Sequence, residues 1–242
     1  PEKMHFQNFE YDKNIVDDTS KYWIKAQEKI NNDNKLKFFK THNAFGALNN
    51  NHFTDSKNSI GAIYVVRDPR NIITSLKNHY ELTDDKALQW MTNEKNFIYD
   101  VQKFNENGYS DFQFVSSWAT NLKSWKLQKK IPIKIIRYED LLNKTYVVFK
   151  EVVEFINKTT NNKQKIDKDK LKNSVNSTLF DKLKASEKKY GFSEAITSKM
   201  DNNKKISFFN LGPKNDWRKI LDKELQIKIS NIFEKEIIEL EY

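Results

Sequence analysis

One junction constrains the fold of this chain more than any other feature. Residues 61–66, Gly-Ala-Ile-Tyr-Val-Val, form a short apolar run rich in β-branched side chains, and Arg67-Asp68-Pro69-Arg70 follows at once. Such a run predicts a strand buried on both faces, the pattern of a parallel sheet. Asp68 is a favoured helix N-cap, and Pro69 is tolerated at the first helical position. Beyond it, Ile72, Ile73, Leu76 and Tyr80 fall on one stripe of a helix. A strand that feeds straight into a helix is the repeating unit of an α/β sheet with right-handed crossovers.

The rest of the sequence extends that pattern. Residues 36–41 and 132–138 predict two more strands. Helices are expected over 84–106, over 114–128 with Trp118, Leu122 and Trp125 in the core, and over 145–157. One or two helices are expected over 168–189, and an amphipathic helix over 219–240. Residues 190–208 show no clear periodicity, and within them the polar stretch 191–205 is a candidate lid. With no internal repeat and no Pro/Gly-rich linker, the expectation is one domain spanning 1–242, of α/β class, with a parallel sheet flanked by helices. Ligands of such sheets bind beyond the carboxyl ends of the strands. That rule points to Thr41-His42, Arg67-Asp68 and Tyr138-Glu139.

Composition narrows the partners. The chain has no cysteine, which excludes disulfides and thiolate metal sites and is compatible with a reducing compartment. Residues 1–10 lack the regions of a signal peptide, and no apolar run reaches the ~18 residues of a membrane span. A cytoplasmic location is the expectation. The formal charge of +9 favours anionic partners. Part of it reflects lysine- and asparagine-rich stretches such as 29–37 and 201–205, which read as solvated loops. No basic stripe with interleaved aromatics appears, so nucleic acid is not an expected partner. No cluster of side chains with metal-ligand spacing is visible, and no metal is expected.

Two constellations carry chemistry. A helix start presents free N–H groups and the positive end of a dipole, which together attract anions. Ser75 lies seven residues after Asp68, two turns along the same face and roughly 10 Å away along the axis. Arg67 and Ser75 can therefore grip one phosphate between them, the guanidinium supplying a bidentate fork. The competing reading is a structural Arg salt bridge and a solvated Ser. Lys40-Thr41-His42 follows the first expected strand, and a His at such a place is a candidate general base. His79 is placed one turn beyond Ser75, where packing is the simpler role; His52 is read as solvated, and His5 lies near the terminus.

These residues resemble a known family. Val-Val-Arg-Asp-Pro-Arg with Ser75 is similar to the 3′-phosphate-binding motif of the sulfotransferases that use 3′-phosphoadenosine 5′-phosphosulfate. The resemblance implies that Arg67 and Ser75 bind the 3′-phosphate of that co-substrate, and that His42 is the catalytic base with Lys40 beside the leaving phosphate. The fold implied is that of the P-loop nucleotide-hydrolase-like proteins. Tyr138-Glu139-Asp140-Leu141 is similar to the segment whose Tyr contacts adenine. Ser117-Trp118 and Ser124-Trp125 match the Ser-Trp helix. Thr178-Leu179-Phe180 is similar to the Thr-Ser-Phe segment, so Thr178 and Phe180 are implied at the nucleotide, with Thr178 as a helix N-cap the competing view. Gly212, Asp216 and Trp217 match the last motif, which assigns Asn210, Gly212 and Lys214 to the nucleotide side. The resemblance runs over roughly 37–225; it does not name the acceptor, for which a small molecule or carbohydrate is the expectation and a polymer stays open.

Three departures stand beside the matches. Asn43-Ala44 replaces Leu-Pro after the His, which points to a different acceptor pocket. Asn210-Leu211 replaces the Arg-Lys pair of the last motif and removes two charge-assisted bonds of ~1.5–3 kcal/mol each. The Gly-rich loop that cradles the 5′-phosphosulfate is not found, and the expectation is that it precedes Pro1. Two other functions therefore stay open: a non-catalytic nucleotide or polyanion binder, and a P-loop phosphotransferase with Asp68 as its magnesium ligand.

Overall fold

The computed structural model describes residues 2–33, 35–201 and 203–242. The chain forms two compact units interleaved in sequence: one holds the residues up to Ala62 together with Thr92–Ile133, the other Ile63–Met91 and Lys134–Tyr242. Among the described residues, no helix is long and apolar enough to cross a membrane.

The first unit is built on aromatic packing. Phe6, Trp23, Ala26, Tyr109 and Phe112 are buried together, with Phe9, Tyr11, Tyr22, Phe53 and Phe114 against them. Trp23 stacks on Phe112 at 6.2 Å between ring centroids, and Phe6 meets Tyr109 at 5.7 Å. Each large ring removed from water contributes on the order of 1.5–3 kcal/mol. Phe97–Ile98 pairs antiparallel with Gln113–Phe114, and the helix Trp118–Leu127 starts at Ser117, whose Oγ accepts from Thr120 N–H at 3.1 Å.

The second unit contains the predicted junction. Strand Ala62–Val66 lies beside strand Ile133–Arg137 in parallel, so the α/β class is observed. Asp68 caps the helix Pro69–Tyr80, its Oδ1 accepting from Arg70 N–H at 2.9 Å. Ile73 and Leu76 are buried as expected, and the helix packs against Trp217–Ile220 and Lys223–Ile232. A further core forms where Ile136 of the strand meets Val148 and Val152 of the helix Thr145–Thr159.

Several expectations change. Residues 35–41 have no regular secondary structure, and Leu36, Phe38 and Phe39 are 52%, 69% and 58% exposed. A strand needs a neighbour's ladder to hold it, and among the described residues this segment has none. Strand Ala62–Val66 is not buried on both faces: Val66 is, whereas Ile63 and Val65 are exposed. The helix expected over 84–106 is two, Asp84–Thr92 and Val101–Asn107, with the Phe97–Ile98 strand between them. The chain passes from one unit to the other between Met91 and Thr92, inside that span. Asp100 caps the second piece, and Gly108 ends it at φ 61°. The helix expected over 219–240 is likewise broken, with Asp222 capping Lys223–Ile232 and Phe233 separating it from Glu234–Glu239.

Candidate functional site

In the second unit the two strands end side by side, and the residues that follow them meet. Asp68 N–H donates to Glu139 Oε1 at 3.3 Å. Arg67 Cζ stands 4.3 Å from the centroid of the Tyr138 ring, a cation–π contact. Tyr138 itself opens the short helix Tyr138–Asn143. Arg67 Nη1 approaches Ser75 Oγ at 3.5 Å, and Arg67 Nε is buried with no hydrogen-bond partner. Burial pushes the guanidinium below its usual value, and the electrostatic influence of Tyr138, then of Glu139, opposes that shift. A half-buried cation with an unused donor favours an anion beside it.

The Pro69–Tyr80 helix is also clamped by the segment after Gly212, which reaches the same Ser75 hydroxyl. Asn215 Nδ2 donates to Asn71 O at 3.0 Å and to Ser75 Oγ at 3.3 Å, while Thr74 Oγ1 donates to Asn215 Oδ1 at 2.6 Å. Trp217 Nε1 donates to Asp68 Oδ2 at 3.1 Å, and Arg70 lies over the Trp217 ring at 4.2 Å. Arg70 grips the same Asp68 carboxylate through Nε and Nη2 at 2.9 and 2.8 Å. Asp68 is thus helix cap, buried ion-pair partner and indole acceptor at once.

Gly212 sits at φ 53°, and a Cβ there would meet the Phe180 ring at 2.2 Å. Phe180 and Gly212, distant in sequence, are therefore in contact. Thr178 is not the N-cap of the helix Phe180–Tyr190; Leu179 holds that position. Thr178 ends the preceding helix Lys168–Ser177, and its hydroxyl donates back to Ser174 O at 2.9 Å. Lys214 is exposed on the turn Gly212–Lys214. Asn210 gains a cation that the sequence did not announce: Lys184 Nζ donates to its carbonyl at 2.7 Å.

In the first unit the exposed His42 belongs to a segment held by its backbone. His42 N–H donates to Gln113 Oε1 at 2.7 Å, and His42 O accepts from Asn121 Nδ2 at 3.1 Å. Phe114 N–H donates to Asn43 Oδ1 and Trp125 Nε1 to Asn43 O, both at 2.8 Å. Phe45 N–H donates to Ser124 Oγ at 2.9 Å. The Trp118–Leu127 helix thus fixes residues 42–45, with Trp125 buried as expected and Trp118 half-buried. Lys40 is exposed just before this held segment.

Sequence reasoning missed Asn215, Lys184, Gln113 and Asn121. Each is a polar residue among many in an asparagine- and lysine-rich chain, with no pattern to mark it. Among curated proteins, none matches the chain. The family model of the sulfotransferase domain matches residues 5–241, and the chain belongs to that family.

Proposed function

We propose that the protein transfers a sulfuryl group from 3′-phosphoadenosine 5′-phosphosulfate to a hydroxyl or amine of a small-molecule or carbohydrate acceptor. The observation that carries this reading is the Arg67–Ser75 pair, 3.5 Å apart with a buried, unused Arg67 Nε. A phosphate fits it, because the guanidinium of Arg67 and the hydroxyl of Ser75 are complementary to a phosphate's oxygens. In this reading Tyr138, Thr178, Phe180, Asn210, Gly212 and Lys214 complete the nucleotide side. The contact of Gly212 with Phe180 supports grouping those two.

Bound, the nucleotide supplies a sulfuryl group joined to a phosphate leaving group. His42 takes the proton of the acceptor as its oxygen or nitrogen bonds to sulfur, a role open to the neutral imidazole. Lys40 offers positive charge to the departing phosphate. The backbone bonds from Gln113 and Asn121 hold His42 in place for that task.

The test is calorimetry with 3′-phosphoadenosine 5′-phosphate, ATP and heparin on the wild type and Arg67→Ala. The 3′-phosphorylated nucleotide is expected to bind best. Arg67→Ala is expected to lose about tenfold or more, the loss of a charge-assisted bond of ~1.5–3 kcal/mol. Transfer of radiolabelled sulfate is expected to collapse in His42→Ala, and unchanged turnover would remove His42 as the base. A second reading, a nucleotide or polyanion binder without turnover, is favoured by Asn210-Leu211. Heparin binding above nucleotide binding would support it.

A further inference from the structure

Ser75 is exposed, and two donors approach its hydroxyl oxygen. Arg67 Nη1 stands 3.5 Å from Ser75 Oγ, and Asn215 Nδ2 stands 3.3 Å from it. A hydroxyl has one proton and two acceptor lone pairs. With two donors at its oxygen, Ser75 has its proton left to offer, and that proton reaches Asn71 O at 3.3 Å. The same carbonyl already serves the ladder of the Pro69–Tyr80 helix, and Asn215 Nδ2 donates to it from closer, at 3.0 Å. The Ser75 proton therefore gives up little by turning to an incoming oxygen.

The orientation of the Asn215 amide is set by its neighbours. Asn71 O can only accept, so the amide nitrogen must face it. The amide oxygen then meets Thr74 Oγ1 and takes its proton at 2.6 Å. Thr74 and Asn215 are both buried. Asn215 N–H donates to Gly212 O at 3.1 Å, and Trp217 N–H donates to Asn71 Oδ1 at 3.1 Å, which fastens the chain on either side of the amide.

We infer that Asn215 is a positioning residue for Ser75: its amide donates both to the hydroxyl oxygen and to the Asn71 carbonyl, and so presents the Ser75 proton to an anion. The inference rests on the reading of Arg67 and Ser75 as ligands of the 3′-phosphate. A phosphate oxygen accepts, and it needs the hydroxyl as a donor. Without the Asn215 amide, Asn71 O has room for the Ser75 proton, and a phosphate must first break that bond to gain its own.

The experiment compares, by calorimetry, binding of 3′-phosphoadenosine 5′-phosphate with binding of adenosine 5′-phosphate, which lacks the 3′-phosphate. Arg67→Ala and Ser75→Ala are each expected to reduce the preference for the 3′-phosphorylated nucleotide about tenfold or more. Asn215→Ala is expected to reduce it about two- to tenfold, the range of one neutral hydrogen bond. In a Ser75→Ala background it is expected to change the preference no further. Equal weakening of both nucleotides by Asn215→Ala would mark a structural role and overturn the proposal. So would an undiminished preference, or the same loss of preference in the Ser75→Ala background. Should Asn215→Ala fail to fold, Asn215→Asp carries the test. It keeps the oxygen that Thr74 bonds and replaces the two donors by an acceptor, so the Ser75 proton turns inward and the preference is expected to fall at least as far. A wild-type preference in Asn215→Asp, or failure of both variants to fold, would assign Asn215 to the scaffold and overturn the proposal. Should the wild type show no preference, or Arg67→Ala or Ser75→Ala keep it, the nucleotide reading itself fails and this one falls with it. Wild type, Arg67→Ala and Ser75→Ala thus report on the first reading, and the Asn215 variants on the second.

Discussion

Gly212 has no room for a side chain and a backbone that disfavours one. Its φ of 53° costs a non-glycine residue roughly 1–2 kcal/mol, and the Phe180 ring blocks the Cβ position. Overpacking of that kind costs about 1–3 kcal/mol more. Gly212→Ala is therefore expected to lower stability by about 2–5 kcal/mol, read from the urea unfolding midpoint at constant m-value. An unchanged midpoint would mean that Phe180 moves aside freely. The sequence marked Gly212 only as a motif position, because the ring that makes it obligatory comes from a helix some thirty residues earlier in the chain. Ser75 was easier to find, since its partner Arg67 is two turns away on the same local unit.

At the scale of elements, the Pro69–Tyr80 helix is held at both ends. Asp68 at its start is buried with Arg70, and the pair has 7% and 9% of its side-chain surfaces exposed. Asp68→Ala leaves a buried guanidinium without its carboxylate, which costs about 3–5 kcal/mol. Asp68→Asn keeps an acceptor for the cap and is expected to cost less; urea titration of both variants measures the difference. At the other end, Glu81 adopts the left-handed C-cap at φ 49° and accepts from Ser198 Oγ at 2.7 Å and from Lys199 N–H. The Ser198 hydroxyl bond, then the Lys199 bond, hold its carboxyl below the usual value. A depressed carboxyl contributes stability above its unfolded pKa of about 4.3, and the contribution fades as pH falls through the lower folded value. Wild type is thus expected to exceed Glu81→Gln in stability at neutral pH. The gap should close on acidification below about pH 4, as thermal unfolding across that range would show. A constant gap would assign the effect to shape rather than charge. The cap at Asp68 was legible from Asp-Pro alone, whereas the Glu81 contact depends on residues far along the chain.

At the scale of the molecule, the net charge of +9 bears on association more than on the fold. Long-range attraction raises the rate at which anions arrive, and salt shortens its reach from about 30 Å at 0.01 M to about 3 Å at 1 M. The association rate of 3′-phosphoadenosine 5′-phosphate, followed by stopped flow, is expected to fall as salt rises. Arg67→Ala is expected to keep most of that slope while dissociating faster, since one charge contributes little to the far field. A salt-independent rate would limit the role of the surface lysines to solubility.

The sequence by itself determined the family, the α/β class, the strand–helix junction at Arg67–Asp68 and the pairing of Arg67 with Ser75. Those features are local: β-branched runs, caps and helical spacing act over a few residues, so neighbouring letters carry them. Tertiary structure decided what local signals leave open. Residues 35–41 have strand-like composition but no ladder, and the 84–106 span is split where the chain changes unit. Only the folded chain sets Asn215 against Ser75, Lys184 at Asn210, and Gln113 and Asn121 on the His42 backbone. Each joins residues from separate elements, and a hydrogen bond or charge contact between distant segments leaves no period or spacing in a single sequence.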